Sequence, residues 1–203
     1  MIHNGGRRKP SRRIPEVLTA DEQTLILAQL NPKTPSGIRN LALICIMLNA
    51  GLSSREVREL QIRNLDLKSG QMKVRGRDRK ERIIWLSDDD LALLKKWLSF
   101  RDSSSILPRS SSKLVFTSLD GTKPICGRWL RKMVKRLGEK AGVSADLHPH
   151  MLRNSFAADL LRQTQNLQLV QKSLGHASLS TTEIYTHIVQ DELEDVMKNF
   201  RKG

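Results

Sequence analysis

Apolar residues recur at helical spacing along most of this chain and change to a strand-like pattern only once, between residues 65 and 86. Thr19-Ala20-Asp21-Glu22 has the form of a capping box, with a hydroxyl and a carboxylate three residues apart that satisfy each other's backbone N–H groups. The pattern after it predicts a helix to about Leu30, broken by Pro32 and Pro35. Ser36 opens a second helix, apolar throughout Leu41–Leu48, which Gly51 stops. Ser53-Ser54-Arg55-Glu56 is another capping box, and its helix continues through Val57, Leu60 and Gln61. Leu65-Asp66-Leu67, then Met72-Lys73-Val74-Arg75, then Arg82-Ile83-Ile84-Trp85-Leu86 predict a small antiparallel meander. Its turns fall at Ser69-Gly70 and Gly76-Arg77-Asp78-Arg79. Ser87-Asp88-Asp89-Asp90 caps a helix carrying Leu91, Leu94 and Trp97, and serine-rich 103–112 reads as a loop. From about Gly127 onward the pattern is helical, broken at Gly142, near Asn166, at Gly175 and near Gln190. The expected fold class is α+β, mainly helical, with one small antiparallel sheet.

Charge changes the picture at both ends of the chain. Residues 1–14 hold Arg7, Arg8, Lys9, Arg12 and Arg13 with no acid, and read as a flexible basic linker or arm before a single domain over 15–203. The stretch 187–203 is amphipathic and acidic and predicts a C-terminal helix. Over its 203 residues the chain has 35 Lys and Arg against 21 Asp and Glu, a net charge of +14, which points to a polyanionic partner. The 38% of hydrophobic residues suffices for a core and argues against disorder. Cys45 and Cys126 form no zinc-ligand spacing, and Cys45 sits in an apolar run as a small core residue. No signal-peptide core and no apolar run of membrane-spanning length occurs, so a cytoplasmic protein is expected.

Two basic features face such a partner. Arg75, Arg77, Arg79, Lys80 and Arg82 gather on the hairpin, where strand alternation puts residues 75, 77 and 79 on one side. Arg128, Arg131, Lys132, Lys135 and Arg136 alternate with Leu130, Met133, Val134 and Leu137, so one helix face packs while the other tracks DNA phosphates. Arg55 and Arg58 read as solvated or as backbone contacts.

The chemistry gathers in the last quarter of the chain. Pro149 suits a first helical turn, so His150 and Arg153, three residues apart, project together from a helix N-terminus that already favours an anion. His148 competes with His150 for that place, but only His150 is three residues before Arg153. His176 follows a helix-ending glycine, and Tyr185, the sole tyrosine, comes nine residues later. A phenol, two imidazoles and a guanidinium are the groups that attack a phosphodiester and hold its charge without a metal. His187 carries no assigned chemistry.

His150-x-x-Arg153, Leu174-Gly175-His176 and Tyr185 resemble the C-terminal half of the tyrosine recombinase (phage integrase) catalytic domain, of the chromosome-dimer-resolution and transposon integrase type. The likeness extends through Ala50-Gly51-Leu52, Glu56, Leu60 and the Val74-Arg75-Gly76 hairpin and covers residues 15–190. The resemblance implies that Tyr185 attacks the scissile phosphate to give a 3′-phosphotyrosyl link, that Arg153 stabilises the phosphorane, that His150 assists proton transfer and that His176 hydrogen-bonds a non-bridging oxygen. It implies double-stranded DNA as substrate, no cofactor or metal, strand exchange and religation, and self-association as a dimer or tetramer through the C-terminal helix. By the same resemblance, residues 1–14 look like the linker that would join an N-terminal DNA-clamping domain.

Two positions depart from the family pattern. Ser53 stands where the family has its first catalytic arginine, and Arg77 where it has a lysine that protonates the leaving oxygen. Arginine is a poor general acid because it holds its proton. Three readings are open: an inactive DNA-binding relative, a deliberately altered protein, or a site in which Arg77 or Arg79 replaces the missing charge and Lys80 supplies the proton. The retention of His150, Arg153, His176 and Tyr185 together favours the last. A topoisomerase or DNA invertase differs only in the partner site required.

Overall fold

The structure, a computed structural model, describes residues 15–76, 80–103, 112–119, 121, 123–143 and 146–190. The first capping box forms as expected: the Thr19 hydroxyl accepts from the Glu22 N–H and the Glu22 carboxylate from the Thr19 N–H, starting helix α1 (Ala20–Ala28). Helix α2 (Pro35–Ala50) begins one residue earlier than expected. Pro35, expected as a breaker, lies in its first turn, where a missing N–H leaves nothing unpaired, and Thr34 caps it by accepting from Gly37 N–H. Helix α3 (Ser54–Glu59) stops short of Gln61. Its continuation is diverted, because Leu60 and Ile62 pair their backbones with Val115 and Lys113 instead. A 3₁₀ turn, Ile62–Asn64, then leads into the sheet.

The meander forms in the expected order, with β1 (Leu65–Asp66), β2 (Gln71–Arg75) and β3 (Glu81–Trp85) all antiparallel. Met72 and Val74 turn into the core, and the register sets Arg82 opposite Val74. Among the described residues the sheet is followed by helices α4 (Asp88–Ser103), α5 (Gly127–Ala141), α6 (Pro149–Thr164) and α7 (Leu167–Leu174). Ser87 caps α4 by accepting from the Asp90 N–H. After α7 a short 3₁₀ turn, Leu179–Thr181, precedes a helix through 184–190.

Helix α2 is the spine. From Ala42 to Leu48 it is buried on every side, which is why its sequence is apolar all round rather than striped, and it packs against α4 and α6. A second apolar cluster gathers Ala157, Ala158 and Leu161 of α6, Val170 and Leu174 of α7, and Tyr185 and Ile188. Helix α5 has the expected two faces: Leu130, Val134 and Leu137 are buried, while Arg128, Arg131, Lys132, Lys135 and Arg136 are exposed. No helix among the described residues is long and apolar enough to cross a membrane. The basic arm over 1–14, Arg77 and Arg79 at the hairpin tip, residues 104–111 of the serine-rich loop and the C-terminal stretch from 191 lie outside the described residues.

Gly51, at the end of α2, has φ of 63°, and a Cβ there would lie 2.3 Å from the Phe156 ring. Both the left-handed backbone and the contact forbid a side chain. Gly51→Ala should destabilise the domain by about 2–4 kcal/mol, from the helical-handedness penalty and overpacking together. A chemical-denaturation curve with an unchanged midpoint would contradict this.

Candidate active site

The site is organised around the carboxylate of Glu56. As the third residue of α3 it closes the second capping box: Oε2 accepts from the Ser53 N–H at 2.7 Å, and the Ser53 hydroxyl accepts from the Glu56 N–H at 3.3 Å. The same Oε2 accepts from Arg153 Nη1 of α6 at 2.9 Å, and Oε1 accepts from Arg82 Nη1 of β3 at 2.5 Å. The three side chains are only 7% (Glu56), 10% (Arg153) and 11% (Arg82) exposed, so these are buried ion pairs rather than surface contacts. Burial pushes the Glu56 pKa up, but the hydrogen bond and charge of Arg82, the charge of Arg153 and the Ser53 backbone outweigh it and hold it below its ordinary value.

Both guanidiniums also grip the end of α7. Arg82 Nε donates to the Ser173 carbonyl at 2.7 Å and Arg153 Nη2 donates to the Leu174 carbonyl at 2.7 Å, while Arg153 Nη1 also donates to the Gly51 carbonyl at 2.8 Å. These carbonyls are the unpaired negative end of the helix, where cations are favoured. Gly175 then turns the chain with φ of 68° and delivers His176 beside the two arginines. Burial, followed by the charges of Arg153 and Arg82, lowers the His176 pKa to about 4, so the imidazole is neutral at physiological pH. Its Nδ1 lies 3.0 Å from the hydroxyl of buried Thr182. The Tyr185 hydroxyl donates to Asn154 Oδ1 at 3.0 Å, one residue along α6 from Arg153. Burial raises the Tyr185 pKa and the Arg153 charge works against that rise.

The sequence profile of the phage integrase family matches residues 16–192. This chain belongs to the phage integrase family. Tyrosine recombinase XerC of Lactobacillus leichmannii is 33% identical over 186 residues, which are 92% of this chain and 63% of that protein. Tyrosine recombinase XerC of Vibrio vulnificus is 35% identical over 188 residues, 93% of this chain and 58% of that protein. The chain therefore spans about three-fifths of the length of these relatives. Among solved structures, the XerA recombinase superposes with a TM-score of 0.78 at 28% identity, covering 93% of this chain and 66% of that one. The XerH site-specific recombinase, bound to a palindromic difH substrate in a post-cleavage complex, superposes with a TM-score of 0.78 at 31% identity over 93% of this chain and 54% of that one.

Within this phage integrase fold, Arg153 lies near enough to both His176 and Tyr185 for its charge to act on them. His150 lies on the first turn of α6 and is exposed, its ring 6.5 Å from that of His148 in an edge-on arrangement. Lys80 and Arg75 are exposed at the hairpin, and Arg77 and Arg79 lie outside the described residues. Arg82 departs from the hairpin cluster to which the sequence assigned it: opposite Val74 in the register, it turns inward to Glu56. Ser53 is the helix cap expected of it and reaches neither arginine, according to the hydrogen bonds its side chain makes. Sequence reasoning missed Asn154 and Thr182, and gave Glu56 a cap and a place in the family pattern but no ion pair. For Arg82 a signal existed, since its place opposite an apolar residue on a half-buried sheet marks it as inward-facing.

Two of the perturbed groups, His176 and Glu56, predict acid sensitivity of one sign. His176 is kept neutral in the fold, so stability present above its ordinary pKa of 6.5 is lost as pH falls toward about 4, where only the unfolded chain readily takes the proton. Glu56, lowered from 4.5, contributes above that value and loses its contribution as pH falls through its folded pKa. Thermal melts from about pH 7 to about pH 3 should fall in two stages, with His176→Gln removing the upper one. Glu56→Gln should lower stability at neutral pH by about 3–5 kcal/mol, because it leaves two buried guanidiniums without their anion. A pH-independent midpoint in the wild type would contradict the buried, neutral imidazole.

Proposed function

We propose that this chain is the DNA breaking-and-rejoining domain of a site-specific recombinase. The observation that carries the reading is that the only tyrosine donates its hydroxyl to Asn154, the residue after Arg153, while Arg153 itself donates to the last carbonyl of α7, two residues before His176. A phenol beside a buried guanidinium and a neutral imidazole suits attack on a phosphodiester. The XerH relative, which is bound to its difH substrate after cleavage, supports duplex DNA as the substrate class.

In this reading the Tyr185 oxygen attacks the scissile phosphorus, the bond to the 5′-oxygen breaks, and a 3′-phosphotyrosyl link forms. His150 takes the phenolic proton, and Lys80, on the exposed hairpin, gives one to the departing 5′-oxygen. Arg153 neutralises the charge gathering on the phosphorane. His176, with Thr182 donating to Nδ1, carries its hydrogen on Nε2 and donates it to a non-bridging oxygen. A 5′-hydroxyl from a partner strand reverses the attack and reseals the backbone. The bond energy stays in the phosphotyrosine, so no nucleotide or metal enters any step. The buried phenol has to leave Asn154 before it can attack, which assigns DNA the task of shifting the 184–190 helix. Arg75, Arg79, Arg128, Arg131, Lys132 and Lys135 supply phosphate contacts, and the 187–203 stretch joins protomers on DNA. A second reading, a DNA-binding relative that no longer cleaves, draws on Ser53, which places no guanidinium at its position.

Tyr185→Phe should abolish SDS-stable adducts on nicked duplexes while leaving DNA affinity within about twofold, since the phenol contributes chemistry rather than phosphate contacts. An adduct persisting in that variant, or none in the wild type across a randomised duplex library, would remove the recombinase reading in favour of the second. EDTA should leave adduct yield unchanged. The logarithm of the DNA-binding constant should fall with that of salt at about −0.9 per phosphate neutralised, and deleting residues 1–13 should flatten the slope. A salt-independent affinity would show that the basic surface is not the DNA face.

A further inference from the structure

Arg82 has three donor groups, and two are spent. Nε goes to the Ser173 carbonyl and Nη1 to Glu56. Nη2 is buried and meets no acceptor among the described residues. A buried donor on a charged group left unpaired is strongly unfavourable and rare, and in a native fold it calls for an explanation. Arg153, by contrast, has both terminal nitrogens engaged.

The charge balance points the same way. Glu56 carries one negative charge between two guanidiniums, and the adjacent His176 is neutral, so the cluster holds a surplus positive charge with no anion to match it. Its location is also specific. A Cβ on Gly175, the residue before His176, would lie 3.1 Å from Arg82 Nη1, so Arg82 lies directly under the turn that delivers the histidine, and no side chain intervenes there. Ser53, on the neighbouring helix start, contributes only a cap.

We propose that Arg82 is the second guanidinium of the phosphate site, with Nη2 reserved for a non-bridging oxygen of the scissile phosphate and Arg82 supplying the charge that position 53 lacks. The proposal rests on reading this site as one that acts on a phosphodiester. It moves the compensating charge from the hairpin tip to β3. A purely structural Arg82, serving only to hold Glu56 and the end of α7, would leave Nη2 without a purpose and would be indifferent to an oxyanion.

Orthovanadate, an oxyanion able to take the trigonal-bipyramidal shape of a transferring phosphate, tests this without knowledge of the DNA site. It is titrated calorimetrically into the full chain, with folding checked by near-ultraviolet circular dichroism. Arg82→Gln should weaken binding roughly tenfold or more, as expected for a lost charge-assisted donor, while Lys33→Gln, on an exposed turn, should not. If the glutamine variant does not fold, Arg82→Lys decides. Lysine keeps a point charge but cannot serve Glu56, Ser173 and an oxyanion together, so it should bind vanadate several-fold more weakly than wild type. Wild-type affinity in a folded Arg82 variant, or no binding by the wild-type protein, overturns the proposal. The recombinase reading stands or falls separately on the adduct assay with Tyr185→Phe. On a duplex that the wild type cleaves, an uncharged methylphosphonate at the intact scissile position should restore adduct formation to Arg82→Gln relative to the charged phosphate, and equal impairment on both would also overturn it.

Discussion

One carboxylate holds the functional half of this molecule together. Glu56 takes two guanidiniums and the start of its own helix on its two oxygens, and thereby joins α3, β3 and α6. Burying three charges carries a large desolvation penalty, which is met only when the geometry is close and the remaining donors are satisfied. Here the remaining donors, Arg82 Nη2 excepted, run to the carbonyls of Gly51, Ser173 and Leu174, so the end of α2 and the end of α7 are drawn into the same network. The second apolar cluster packs α6 against α7, and the ion-pair network fixes Arg153 against the end of α7 just before His176.

Much of the architecture was readable from local signals because those signals act locally. Both capping boxes, the left-handed glycines at 51, 142 and 175 and the meander follow from residues within a few positions of one another. The errors have physical causes. Pro35 looks like a terminator in sequence, but a first-turn proline is compatible with helix formation. Helix α3 was drawn too long because the backbone of Leu60 and Ile62 is claimed by a segment some fifty residues downstream.

The site was half legible. Arg153, His176 and Tyr185 announce themselves through residue type and spacing. Glu56 does not, because a capping glutamate needs only one of its oxygens locally, and the partners of the other contacts lie 26 and 97 positions away. Asn154 and Thr182 carry no distinguishing sequence pattern. Their roles arise because α6 and the 3₁₀ turn bring them against Tyr185 and His176, a purely tertiary event.

The loop at Gly175 has a bearing on how this domain can change over time. A residue there must adopt φ of 68° and place its Cβ 3.1 Å from Arg82 Nη1, so almost any replacement disturbs both the turn and the guanidinium beneath it. Position 53 is under a different demand, because a serine meets the needs of a helix start in full. The two positions are therefore constrained in different ways: position 53 asks for a short side chain that can accept from the Glu56 N–H, whereas position 175, which carries no chemistry at all, asks for no side chain.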